Sequence, residues 1–140
     1  MRYDVSPGLM EEHMPVAAHI DPNARLVMFR CSGEVVFSEI RNAFEQMMTD
    51  PGFMPGINAL WDLREASIGV RMQEIPDILG MIKSRQDERG TGYRVAILVG
   101  GSPDFGLSSM FEMSAHAMPF DVKVFRSYTQ ATHWLGGGDA

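Results

Sequence analysis

The stretch YRVAILVGGSPDFGLSSMFEMSAHAMPFDVKVF, residues 93–125, decides the fold. It begins with a near-continuous apolar run, Val95 to Val99, of the kind found in strands buried on both faces of a sheet. Gly100-Gly101 ends the run. Ser102 then suits a helix cap, with Pro103 at the first helical position and Asp104 in the first turn. Leu107, Met110, Phe111, Ser114 and Met118 recur at helical spacing on one face. Val122 to Phe125 returns as a strand. Strand, turn, helix and strand in this order form a β-α-β unit, which implies a parallel pair joined by a right-handed crossover.

The same alternation extends in both directions. Upstream, VAAHIDPNARLVMFRCSGEV reads as a β-hairpin around Asp21-Pro22-Asn23-Ala24, with Arg25 to Cys31 as its second strand. FSEIRNAFEQMMTDPG is a helix with Phe37, Ile40, Ala43, Phe44, Met47 and Met48 on one face. Ser38 is its expected N-cap, and Asp50-Pro51-Gly52 stops it. Ile57 to Leu63 is a short buried strand. MQEIPDILGMIKSRQDERG is a second helix, with Ile75, Ile78, Leu79 and Ile82 as its buried stripe and Pro76 in its first turn. Lys83, Arg85 and Arg89 suit its C-terminal dipole end, and Gly90 its C′ position. Downstream, Ser127 and Gln130 make a capping-box pattern for a final helix, Thr129 to Leu135.

The predicted order is β-β-α-β-α-β-α-β-α. This is an α/β fold with a mostly parallel mixed sheet, an antiparallel edge hairpin strand and about four helices. One domain over residues 15–136 is expected, with an N-terminal arm over 1–14 and a flexible tail over 137–140.

Composition narrows the function classes. The 140 residues carry a net charge of −6, which disfavours nucleic acid and anionic membrane surfaces as partners. Cys31 is the single cysteine, so neither an intramolecular disulfide nor a cysteine-based metal site forms within the chain. That usage suits a reducing cytoplasm. The first residues lack the apolar core of a signal peptide, and no apolar run is long enough to span a bilayer, so a cytoplasmic protein without membrane insertion is expected.

Three segments carry a family likeness: DPGFMPGINALWDLREA (50–66), YRVAILVGGSPDFGLSSMFE (93–112) and FDVKVFRSYTQATHWLG (120–136). With the element order, they make the chain resemble the SpoIIAA-like family, the fold of anti-sigma-factor antagonists and other STAS domains. The likeness covers about residues 15–136. It implies a small regulatory domain, and a phosphorylatable serine in an Asp-Ser-Ser-Gly turn that opens the second helix. Here the corresponding turn, Val70 to Gln73, contains no serine, and Ser67 is the nearest hydroxyl. Phospho-switching is therefore not assigned.

The residues themselves offer several candidate sites. Gly100-Gly101-Ser102 at a helix N-terminus is a place for an anion, but the turn has no basic residue and Asp104 opposes one. A strand-to-helix junction is the simpler reading. The turn lacks the G-x-S-x-G spacing of a nucleophile elbow, and Ser102 and His116 stand too far apart along one helix to share a proton. The four histidines show no metal-ligand spacing, and no metal or cofactor is expected. Asp62, Arg64, Glu65 and Ser67 follow a strand end, where α/β ligands usually sit. A ligand site there would draw on Asp62, Arg64, Ser67, Gly101 and Ser102. Phe105, Met110, Phe111 and Met113 form an apolar arc on the third helix, read either as core packing or as an interaction face.

These features predict a non-enzymatic regulatory or protein-interaction module, acting as a homodimer or on another protein. The alternative is a binder of a small apolar or amphipathic ligand, held beneath the second and third helices. The SpoIIAA-like resemblance is compatible with both, since its fold class includes lipid-handling members.

Overall fold

A computed structural model describes residues 15–138, apart from the side chain of Ser102. The expected arm over 1–14 and the last two residues of the tail lie outside the described residues. The elements are β1 (Val16–Asp21), β2 (Leu26–Val35), α1 (Phe37–Met48), β3 (Asn58–Ile68), α2 (Ile75–Ser84), α3 (Gln86–Arg89), β4 (Arg94–Leu98), α4 (Ser102–Ser114), β5 (Asp121–Phe125) and α5 (Tyr128–Leu135). The sheet order is β1-β2-β3-β4-β5, with β1 antiparallel to β2 and every other pair parallel.

The hairpin turns where the sequence requires it. The Asp21 carboxylate accepts the N–H groups of Asn23 and Ala24 at 3.0 and 3.2 Å, an Asx turn that closes the loop between β1 and β2. Alternation then sorts the side chains between two faces. Val27, Phe29, Ala59, Trp61, Val95 and Ile97 face the crossover helices α1, α2 and α4. Leu60, Ala96, Leu98 and Phe125 face α5, which covers them with Ala131, Trp134 and Leu135. Each large apolar side chain so buried contributes about 1.5–3 kcal/mol. Asn58 clamps the α5 side: its amide donates to the Leu135 carbonyl at 3.0 Å and its oxygen accepts the Arg94 N–H at 2.8 Å.

Four boundaries differ from the sequence reading, each for a local reason. The N-cap of α1 is Val36, not Ser38, because the Glu39 carboxylate reaches back to the Val36 N–H at 2.9 Å. The N-cap of α4 is Gly101, whose carbonyl accepts the first helical bond from Phe105 at 3.0 Å, so Ser102 is already inside the helix. β3 continues past Leu63 to Ile68, and Asp62 to Glu65 on β3 spans the distance of Arg30 to Ser32 on β2. That extra residue is a bulge; it inverts the alternation, so Ala66 and Ile68 join the core face. Finally, the second predicted helix breaks at Arg85 into α2 and α3, which makes five α-helices among the described residues, close to the four or so expected.

The break has a tertiary cause. Arg85 bonds Glu88 at 2.6 Å and Glu45 of α1, pinning the end of α2 to its neighbour. After α3, Gly90 adopts φ +90° and ψ −173°, and the Gly56 N–H donates to the Arg89 carbonyl at 2.8 Å. Only glycine takes that backbone geometry readily. The turn aims Arg89 inward.

Candidate functional site

The carboxyl ends of the strands bring part of the expected cluster together. Asp62 and Arg64, two residues apart on β3, form a bidentate pair at 2.9 and 2.7 Å. The hydrogen bond from Arg64 holds the Asp62 carboxyl below the usual carboxylate range, against the opposing effect of partial burial. Arg64 also lies over the Tyr128 ring at 5.3 Å. Gly100 packs on Arg64: a Cβ there would stand 3.4 Å from the Arg64 carbonyl oxygen. Asp104, in the first turn of α4, accepts the Ile68 N–H at 3.1 Å. The junction between β4 and α4 is thus stapled to β3 by one close backbone approach and one carboxylate. Ser67 and Glu65 are exposed, and Ser67 stands opposite Glu34 in register. Gly101 is exposed at the helix cap, and the Ser102 side chain lies outside the description.

The apolar arc of α4 divides between two surroundings. Met110 and Met113 point outward, 38% and 76% exposed, and lie on adjacent turns. Phe105 is half-buried beneath the Arg126 guanidinium at 4.3 Å. Phe111 turns the other way and lines a cavity.

That cavity lies between the sheet and α1, α2 and α4. α2, which roofs it, is in contact with both α1 and α4. The cavity volume is about 120 Å³, and Phe29, Trp61, Ile78, Leu107 and Phe111 are among its lining residues. Phe29 and Trp61 stack across β2 and β3 with ring centroids 3.9 Å apart, forming its floor. Arg89 also lines it, at 2% exposure. One Arg89 nitrogen, Nη2, donates to the Ile57 carbonyl at 2.7 Å, and the guanidinium carbon stands 3.6 Å from the Tyr93 ring centroid. Burial lowers the Arg89 pKa to about 10 and raises that of Tyr93 to about 12. Tyr93 in turn stacks on Phe120 at 4.7 Å.

Arg89 is the residue that sequence reading places wrongly. Near a helix C-terminus it reads as a surface cation facing the dipole. The break at Arg85 and the turn at Gly90 carry it into the core instead. The adjacent glycine was the available signal, because a glycine at a helix end marks where the chain turns.

Among the described residues, no three of His, Cys, Asp and Glu come together as a metal site. No helix among them is long and apolar enough to cross a membrane.

The sequential mixed sheet, with three crossover helices on one face and α5 on the other, defines an α/β protein with a SpoIIAA-like fold. It is similar to the crystal structure of an uncharacterised protein of the DUF3478 family with a SpoIIAA-like fold, from Shewanella loihica PV-4. The two share 18% identity with a TM-score of 0.56, over 86% of this chain and 91% of that one. At that identity the likeness establishes the fold. No family model matches the chain. No curated protein matches it either.

Proposed function

We propose that this chain is a non-enzymatic regulatory module of the SpoIIAA-like type, which acts by binding and associates with a second copy of itself through α4. The observation that carries the reading is how polar groups at the strand ends are used. Both Asp62 carboxylate oxygens accept from Arg64, and one Asp104 oxygen accepts the Ile68 backbone N–H. A general base needs an available lone pair and a pKa near the working pH. Asp62 is shifted in the opposite direction. These groups hold loops in place. The outward methionines of α4 supply a flexible apolar face, and a two-fold dimer needs only one such patch on each copy.

Sedimentation velocity across micromolar to submillimolar concentrations tests the association. A dimer that the double substitution Met110→Asp and Met113→Asp converts to a folded monomer is expected. A wild-type monomer throughout that range, or a dimer indifferent to both charges, refutes the α4 interface.

A second reading, small-ligand binding, is supported by the cavity. At about 120 Å³ it is smaller than the roughly 300 Å³ at which drug-sized pockets begin, so it suits a single ring or a short chain.

A further inference from the structure

The cavity beneath α2 contains a group that an apolar core does without. Arg89 is almost fully buried, and no carboxylate pairs with it among the described residues. Its Nη2 is satisfied by the Ile57 carbonyl, but its Nη1 has no hydrogen-bond acceptor among the described residues. Buried charged groups are ordinarily paired, and an N–H left without an acceptor forfeits its hydration uncompensated. On the facing helix α4, Ser108 is 3% exposed and also lines the cavity. The rest of the wall is apolar and aromatic. An apolar body with one acidic end matches this arrangement: dispersion and burial hold the body, and the cation selects the charge.

Size limits the body. An apolar cavity of about 150 Å³ takes up benzene. A space of about 120 Å³ is somewhat smaller, so it accepts a short alkyl chain or, with slight movement of its lining side chains, a single ring, but not a long acyl chain in full.

We propose that the cavity between the sheet and α2 binds a small apolar monocarboxylate, its ring or short alkyl body against Trp61 and Phe111 and its carboxylate on Arg89 Nη1. This rests on the ligand-binding reading and is independent of the α4 interface. Nη1 itself is covered, so binding draws the guanidinium toward the cavity while the Ile57 carbonyl holds Nη2. Ser108, which also lines the cavity, supplies the second donor.

The test is calorimetric titration of the full chain with phenylacetate and, separately, with phenylacetamide, which has the same shape without the charge. Phenylacetate is expected to bind at least about ten-fold more tightly, because a charge-assisted bond to Arg89 is lost in the amide. The uncharged variant Arg89→Met is expected to remove that preference. Equal or tighter binding of the amide to wild type overturns the carboxylate assignment while leaving the cavity a ligand site. Failure of both compounds to bind overturns the site as well. The acid–amide comparison is made on wild type, so it stands even if Arg89→Met does not fold.

Discussion

Gly90→Ala tests whether the turn that seats Arg89 is built as described. Gly90 has φ +90° and ψ −173°, a region open essentially to glycine alone. Holding alanine there costs about 1–3 kcal/mol. An added Cβ would also stand 2.6 Å from the Gly56 nitrogen and 3.1 Å from the Pro55 carbonyl carbon. Both are backbone atoms, so no side chain can swing aside. Relief requires the Pro55-Gly56 segment to retreat, which breaks the Gly56 N–H bond to the Arg89 carbonyl. Losing it costs about 1 kcal/mol more. The expected destabilisation is therefore about 2–4 kcal/mol. Gly80→Ala supplies the opposite sign in the same protein. Gly80 is exposed within α2 and nothing lies within 4 Å of its virtual Cβ, so alanine should stabilise by about 0.5–1 kcal/mol. Urea denaturation followed by far-ultraviolet circular dichroism gives both values, provided the m-value is unchanged. A Gly90→Ala protein as stable as wild type would refute the tight turn, and with it the route by which Arg89 enters the core.

Two further outcomes follow from the ionisable groups. Cys31 is 1% exposed and its thiol is pushed up to about 12, by burial first and by the Asp62 charge second, so a disulfide reagent should label it slowly in the native protein and quickly in urea; rapid native labelling that accelerates between neutral and mildly alkaline pH would contradict its burial. Asp62→Asn should cost no more than about 1 kcal/mol at neutral pH, since the Arg64 side chain is 44% exposed and the pair is screened. The Asp62 carboxyl is lowered on folding, so its contribution is present above the unfolded value near pH 4 and fades as the pH falls through the lower folded value. A wild-type advantage that persists at low pH, measured by urea denaturation, would assign the effect to something other than this titration.

The element order was legible because its signals are local. The turn over Asp21 to Ala24, the proline in the first turn of α2 and the Ser127 cap of α5 each act within four residues, and all are found in place. The Ser127 hydroxyl accepts the Gln130 N–H at 3.2 Å, as the capping pattern implies. Arg64 to Ile68 did not read as strand, because the bulge breaks the period of two just where charged residues begin. For the candidate site, sequence brought Asp62 and Arg64 together and marked the β4–α4 junction, since all lie at element ends. It did not show the space beneath α2. Ile75 and Ile78 were read as an ordinary buried stripe, and they are buried. What they face depends on how far α1 and α4 hold α2 from the sheet, which is a property of three helices together. Phe111 was grouped with Met110 and Met113 for the same reason: adjacency along a helix does not say which neighbour lies on either side.

Empty space beneath α2 also makes the molecule sensitive to hydrostatic pressure. Unfolding floods internal voids, and the accompanying volume decrease scales with the void that is lost. The space of about 120 Å³ should therefore add to the volume decrease on unfolding and lower the pressure at which the protein unfolds. This space lies on one face of the sheet, while α5 covers the other with Trp134 and Leu135. Under compression the two faces should therefore yield unequally, with α2 settling onto the strands while α5 keeps its place.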